Sequence, residues 1–283
     1  MRFVLSRLSG ILILTLAAAC TLADLRPGDF DSYISAAAHR QGAALMRQLE
    51  QHYGGRQLWK RQAYTVLEFR DDWPGWLERK LIVPWPDNAP LMRLTIQNGS
   101  FNSRLQFLEG RWQNRTWGIQ NWATYLEEAG QSPEFQPNAD IKFWLPTFQY
   151  FLEAPLRLGE AEYLLHIGQR LIGNQTYQLV YATWGSLGPH QSADQYICYI
   201  NQDTGNLDYL QFTVREMGGF VTSVIEYRDF RRVNGVQYAY EMTIRDALDA
   251  DDYVHRIVVQ QLAFDPQIRP ELLLPRPELQ SSK

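Results

Sequence analysis

Hydrophobic and polar residues follow a helical period near the start of the chain and a period of two over most of the rest. From residue 31 to residue 52, apolar side chains recur at helical spacing, which predicts a helix with one apolar face. The Gly54-Gly55 pair after this segment suits the left-handed backbone at a helix C-terminus. The pattern therefore predicts an N-terminal helix followed by a chain rich in strands.

Alternation of apolar and polar residues predicts two sets of strands. The clearest strand is 236–245, where Val236, Tyr238 and Tyr240 begin an apolar face opposite a mainly polar one. Asn234-Gly235 and Gly218-Gly219 are turn signals, so consecutive strands are expected to pair as antiparallel hairpins. The predicted strands are 59–69, 76–83, 91–97, 104–108 and 111–118 in the first set, and 161–172, 176–184, 195–201, 208–216, 220–230, 236–245 and 253–264 in the second.

Two segments between these sets are predicted to be helical, 121–129 and 140–154. In residues 141–152, eight of twelve side chains are large and apolar, and a helix that is apolar on nearly all sides must be buried. Pro146 is expected to kink or split it. Against a curved sheet the helix belongs in the concavity, either as ordinary domain core or as a movable lid over an apolar cavity. The candidate cavity and lid residues are Trp122, Phe143, Trp144, Phe148, Phe151 and Leu152.

The first twenty residues have the layout of a bacterial lipoprotein signal. Arg2 and Arg7 precede a short apolar run, and three alanines then lead to Cys20 in a pattern that resembles a lipobox. Cys20 is therefore the predicted lipidation site and the first residue of the mature chain. Thr21 follows it instead of aspartate, and by resemblance to the enteric sorting rule this favours the outer membrane, facing the periplasm. The alternative is ordinary cleavage after Ala19, with Cys20 left unmodified.

Charge and cysteine content narrow the class of protein. The formal net charge is −4, and it becomes −6 without residues 1–19, which contain two arginines and no acids. An acidic chain without a polybasic face is not expected to bind nucleic acid, and any membrane attachment must come from an N-terminal lipid anchor. Two cysteines do not make a disulfide framework, so Cys198 is predicted to be a small buried hydrophobe.

The sequence offers little support for catalysis. The five histidines lack metal-ligand spacing, and phosphate-loop, dinucleotide and nucleophile-elbow motifs are absent, so we predict no metal, no cofactor and no catalytic residue. The charged residues Arg215, Glu216, Glu226, Arg228, Asp229 and Arg231 are expected to form cross-strand ion pairs on a solvent face. An enzyme would instead need carboxylates facing the cavity, and Glu226 is the first candidate.

Several short motifs resemble the lipoprotein-localisation-factor (LolA/LolB-like) superfamily, in particular its uncharacterised bacterial lipoprotein branch. The motifs are His52-Tyr53-Gly54-Gly55, Gly168-Gln169-Arg170-Leu171-Ile172-Gly173 with Tyr177-Gln178-Leu179-Val180, Tyr199-Ile200-Asn201 with Thr204-Gly205, Glu226-Tyr227-Arg228-Asp229-Phe230-Arg231, and Val233-Asn234-Gly235-Val236. The resemblance implies an unclosed β-barrel whose concave face, covered by helices, holds acyl chains or another hydrophobic ligand.

The expected fold is mainly β with α, a single curved antiparallel sheet or unclosed β-barrel of about 11–12 strands, with an N-terminal helix and helices that cover or plug the concave face. The expected divisions are a signal peptide (1–19), a tether (20–31), the folded domain (32–265) and a proline-containing tail (266–283).

The expected function is an envelope lipoprotein that carries or sequesters a lipid or acyl-chain ligand without chemistry, with an envelope protein as a possible partner. Two alternatives remain open. One is a structural or interaction lipoprotein with a filled core, which would present Trp73, Trp76 and Trp85 to a partner. The other is an enzyme that uses a carboxylate near the cavity.

Overall fold

The computed structural model describes residues 22–128 and 133–275. The predicted signal peptide, Cys20 and the last residues of the tail lie outside the described residues. The strands are β1 (Tyr64–Asp72), β2 (Met92–Gln97), β3 (Ser103–Phe107), β4 (Thr116–Gln120), β5 (Ala123–Glu127), β6 (Tyr163–Ile172), β7 (Gln175–Thr183), β8 (Gln195–Asn201), β9 (Leu207–Val214), β10 (Val221–Val233), β11 (Val236–Arg245) and β12 (His255–Phe264).

All twelve strands form one antiparallel sheet in the order β5-β4-β3-β2-β1-β12-β11-β10-β9-β8-β7-β6. Strands that follow each other in the chain are paired from β1 to β5 and from β6 to β12. In addition β1 pairs with β12, and β5 and β6 are the two edges of the sheet. The predicted single, unclosed antiparallel sheet is therefore confirmed, and the strands of its second half lie close to their predicted bounds.

The helices are α1 (Ala36–His52), α2 (Arg56–Arg61), α3 (Trp76–Ile82) and α4 (Ala139–Arg157). The predicted N-terminal helix is confirmed, but it begins at Ala36, where the Ser35 hydroxyl caps the backbone N–H of Ala38 at 3.1 Å. Gly42 lets α1 pack directly on β6, because a Cβ atom there would lie only 2.6 Å from the carbonyl oxygen of Leu164.

Two predicted elements are wrong. Residues 76–83 were predicted as a strand, but they contain α3, a seven-residue helix whose side chains are all at least partly exposed. A segment of seven residues is too short for its sequence to distinguish the helical period from the period of two of a strand. Residues 121–129 were predicted as a helix, but Asn121 and Trp122 form the two-residue turn of the β4–β5 hairpin. Both have positive φ, +48° and +67°, as a type I′ turn requires.

The concave face of the sheet holds the main hydrophobic core, and α4 lies in it. The predicted buried helix at 140–154 is confirmed, and it continues through Pro146 without being split. The missing N–H of Pro155 leaves the carbonyl of Phe151 without its helical partner, and the Tyr227 hydroxyl donates to that carbonyl at 3.0 Å. The sheet therefore supplies a hydrogen bond that the helix itself cannot make.

Segments near both ends of the chain cover the convex face. Leu25 and Phe30, in the region predicted as a tether, pack with Tyr181 in a second hydrophobic cluster behind β6–β9. On the other half of the sheet, the Tyr125 hydroxyl donates to the carbonyl of Leu273, in a 3₁₀ turn at Pro270–Leu273. The described parts of the predicted tether and tail are thus packed against the domain.

Candidate functional site

Aromatic side chains of α4 fill the concave face of the sheet. The ring centroid of Trp144 lies 5.0 Å from that of Trp85 and 6.0 Å from that of Trp73, both in the segment between β1 and β2. Phe148 lies 5.1 Å from Phe69 of β1. These edge-on and tilted contacts are the favourable geometry for aromatic pairs, so α4 is packed tightly against the sheet.

The same cluster contains most of the residues that the sequence predicts to line a cavity. Trp144, Phe148, Phe151 and Leu152 are buried together, and Phe143 is partly buried against them. Trp122 is not in the cluster; it is 55% exposed at the β4–β5 turn, beside Phe101. Its separation follows from the hairpin, which replaces the helix predicted there.

A row of polar side chains runs along α4 at every fourth residue and is buried with the aromatic cluster. Arg157 donates to Glu153 at 2.6 Å and to the carbonyl of Ser100 at 2.6 Å. Gln149 donates to the Glu153 carboxylate at 3.1 Å and to the same carbonyl of Ser100 at 2.5 Å. Because burial penalises its charged form, the pKa of Glu153 is raised to about 7 despite the neighbouring Arg157.

Some polar atoms at the interface of α4 and the sheet are fully buried and lack a hydrogen-bond partner. They include Gln149 Oε1, Glu153 Oε1 and Trp85 Nε1. An unpaired buried polar group costs about 1–3 kcal/mol, and protein cores rarely leave such groups unpaired. The packing of α4 against the sheet is therefore less stable than its apolar contacts alone suggest.

A buried histidine and aspartate pair also faces α4. The Nδ1 atom of His255 on β12 lies 2.7 Å from Oδ1 of Asp71 on β1, and Trp73 Nε1 donates to Oδ2 at 2.8 Å. The His255 ring stacks on that of Trp73 at 4.2 Å, and its centroid is 6.4 Å from both Trp144 and Phe151 of α4. Sequence reasoning missed this group, because Asp71 and His255 become neighbours only through the pairing of β1 with β12.

Glu226, the carboxylate predicted as the first candidate for catalysis, points away from the concave face. It accepts hydrogen bonds from Arg228 at 2.6 Å and from Arg245 at 3.3 Å, whereas the adjacent Ile225 and Tyr227 belong to the concave core. Asp229 has φ +53° and makes no ladder pair with β11, but the register of β10 and β11 is the same on both sides of it. Phe230 packs against the core beside Tyr53, with 6.4 Å between the ring centroids, although it has the strand parity of Glu226.

The part of the chain that the structure describes was predicted to contain no metal site, and one alternative placed a tryptophan surface in it. Residues 22–128 and 133–275 contain no group of three or more His, Cys, Asp or Glu side chains placed to hold a metal ion. None of the helices in these ranges has the length and apolar composition needed to span a bilayer. The tryptophans proposed as a partner surface are divided, since Trp73 and Trp85 are buried and Trp76 on α3 is 75% exposed.

Cys198 is a buried free thiol on β8, as predicted from the sequence. Burial raises its pKa to about 12, so the reactive thiolate is scarce at neutral pH. We expect Cys198 in a Cys20→Ser protein to resist a chromogenic thiol reagent until denaturant is added. Rapid labelling under native conditions would contradict the buried position.

Sequence comparison gives no match to any protein-family model or to any protein of curated function. Comparison of structures does find matches. A domain named as an outer membrane lipoprotein-sorting protein, from Vibrio parahaemolyticus, is 8% identical with a TM-score of 0.53, covering 83% of this chain and 97% of its own. A LolA superfamily protein from Nitrosomonas europaea is 10% identical with a TM-score of 0.51, covering 80% and 96%.

A DUF1329 family protein from Desulfovibrio piger is 9% identical with a TM-score of 0.55, and the alignment covers 84% of this chain and 97% of that protein. At such low identity these similarities bear on the fold alone. They agree with the open twelve-stranded sheet, its N-terminal helix and the helix on its concave face. The chain has a LolA-like fold, and the resemblance identified in its sequence is confirmed at that level.

Proposed function

We propose that this protein is an envelope lipoprotein that binds a lipid or another hydrophobic ligand on the concave face of its sheet. In this proposal α4 is a lid that leaves part of the concave face when the ligand enters. The protein carries or shields its ligand and performs no chemistry on it. Cys20 is the proposed site of an N-terminal lipid anchor, in the outer membrane and facing the periplasm.

The observation that carries this proposal is that the interface between α4 and the sheet combines many apolar contacts with buried polar atoms that lack a hydrogen-bond partner. The concave face is lined by aromatic and aliphatic side chains, and helices cover it in place of a second sheet, α4 with the largest share and α1 and α2 beside it. The same interface leaves Gln149 Oε1, Glu153 Oε1 and Trp85 Nε1 buried without partners, which lowers the free energy needed to displace α4. A ligand chain would replace the apolar contacts, contributing about 0.8 kcal/mol per buried methylene.

The proposed anchor rests on the sequence around Cys20, and the proposed location rests on that anchor and on Thr21. The two structural matches named for lipoprotein sorting and for the LolA superfamily support a place in the bacterial envelope by analogy of fold. Labelling cells with a radioactive fatty acid, followed by isolation of the protein, tests the anchor, and Cys20→Ser is expected to abolish the label.

The binding proposal is tested with the Cys20→Ser protein, purified from a bacterial envelope without detergent. Native mass spectrometry followed by lipid extraction is expected to find a bound lipid. Titration with a fatty acid brominated along its chain is expected to quench the buried tryptophans around α4, because bromine quenches only at contact distance. The same fatty acid without bromine is the matched control and leaves the fluorescence unquenched.

A folded protein that carries no lipid and is not quenched by the brominated chain would overturn the proposal. It would favour the alternative of a structural or interaction protein with a permanently filled core. Quenching that disappears in Trp76→Phe, the variant of the exposed tryptophan on α3, would likewise move binding from the concave face to the outer surface.

A further inference from the structure

We propose that His255, held by Asp71, is a polar anchor for a neutral hydroxyl group on the ligand. This inference rests on the proposed function, and it adds the chemical class of the ligand head: an apolar chain that ends in a hydrogen-bond donor. The site lies on the concave face, beneath the middle of α4, where Trp144 and Phe151 contact the His255 ring.

The geometry fixes which nitrogen of His255 is available. Both oxygens of the Asp71 carboxylate act as acceptors, Oδ1 from His255 Nδ1 at 2.7 Å and Oδ2 from Trp73 Nε1 at 2.8 Å. Nδ1 therefore carries a hydrogen, and in the neutral ring Nε2 is left as an acceptor. Among the described residues, no hydrogen bond engages Nε2, although His255 is only 5% exposed.

The surroundings of His255 explain why we propose a neutral head. Asp71 is completely buried, so its negative charge is poorly screened and disfavours a second anion close by. The other side chains at the ring, Trp73, Trp144 and Phe151, are aromatic and add no cation to the Asp71–His255 pair, so a carboxylate or phosphate there would leave a negative charge without a partner. A hydroxyl can donate to Nε2 without adding charge.

The orientation of the ring is also set before a ligand arrives. Stacking on Trp73 at 4.2 Å and the bond to Asp71 hold the imidazole from its face and from one edge. An acceptor that is already oriented gains affinity because little side-chain entropy is lost when the ligand binds. Nε2 is not among the fully buried unpaired atoms, so a ligand hydroxyl can reach it beside the aromatic surface proposed to hold the chain.

The experiment compares three ligands with the same chain: dodecanol, methyl dodecanoate and dodecanoate. Each is titrated into the Cys20→Ser protein in competition with a fluorescent acyl probe. Dodecanol is expected to bind about tenfold more tightly than the methyl ester, which lacks the donor, and more tightly than the anionic dodecanoate. In His255→Leu the preference for the alcohol is expected to disappear while all three chains still bind. His166→Leu, which changes a strand histidine bonded to Gln178, is the matched control.

A second measurement leaves both Asp71 and His255 unchanged. In protein labelled with ¹⁵N-histidine, dodecanol is expected to shift the Nε2 resonance of His255, and the methyl ester is not. Equal affinity for the alcohol and the ester, with an unmoved Nε2 resonance, would overturn the anchor while leaving hydrophobic binding intact. If none of the three ligands displaces the probe or binds at all, the proposed function fails first. Tighter binding of dodecanoate than of dodecanol would overturn the neutral head.

Discussion

Trp144→Ala is expected to lower the free energy of unfolding by about 3–5 kcal/mol and, at the same time, to tighten the binding of an acyl probe. The loss of stability follows because the Trp144 ring packs against Trp73, Trp85 and Phe148, and its removal leaves a cavity in the main core. The gain in binding follows if α4 is a lid. The apparent dissociation constant falls when the open state becomes more populated, and Trp144 is one of the side chains that hold α4 against the sheet.

The measurements are chemical denaturation for stability and fluorescence titration for binding, the latter well below the unfolding transition. Tyr181→Ala is a matched control, since Tyr181 is fully buried in the second hydrophobic cluster, on the convex face, and that cluster contains no residue of α4. It is expected to lose comparable stability without any gain in binding. If both variants bind the probe equally, loosening of the whole domain explains the binding and the lid has no special role.

Glu153→Gln is expected to remove part of the pH dependence of stability. The pKa of Glu153 is raised from 4.5 to about 7, so the folded state holds a proton that the unfolded state releases. The stabilisation from this group is complete below the unfolded pKa and is lost as the pH rises through about 7. Its full size is at most about 3 kcal/mol. Glutamine resembles the protonated form, so the variant should resemble the wild type near pH 5 and be the more stable protein near pH 8.

The comparison requires unfolding curves of both proteins across this pH range. Burial also raises the pKa of Asp194, to about 6, and this contribution has the same sign but is present in both proteins. It therefore cancels in the difference. Glu160→Gln, at a half-exposed ion pair with Arg56, serves as the control and is expected to change stability by less than about 1 kcal/mol at any pH. A Glu153→Gln difference that does not vary with pH would mean that Glu153 is ionised throughout.

The sequence predicted the second half of the sheet well because its signals there are local. Alternation in 236–245 and the Asn234-Gly235 turn specify a hairpin from neighbouring residues alone, and the structure has β10 and β11 paired across that turn. The β4–β5 hairpin lacked such a signal. Its turn places Trp122 at a positive φ, where glycine is the usual residue, so the segment resembled part of an aromatic helix.

The candidate site was predictable only as far as it lies in one continuous segment. The run 141–152 identified α4 and its buried aromatic side chains from composition and length. The Asp71–His255 pair was not predictable, because its two residues are 184 positions apart and belong to the first and last strands. Their contact depends on the pairing of β1 with β12, and hydrophobic periodicity does not indicate which strands pair with each other.

The chain is fixed to the domain at Ala23, which bears on the reach of the domain if Cys20 carries the proposed lipid anchor. The backbone N–H of Ala23 donates to the carbonyl of Gly219 at 2.8 Å, and Arg215 donates to the carbonyl of Ala23 at 2.9 Å. If Cys20 carries acyl chains, only two residues separate them from this fixed point, and an extended chain spans about 3.5 Å per residue. The domain would then rest on its own membrane and have no reach across the periplasm. Such a protein could exchange ligand only with its own bilayer or with a partner that comes to it, so it would act as a stationary acceptor or store and not as a shuttle.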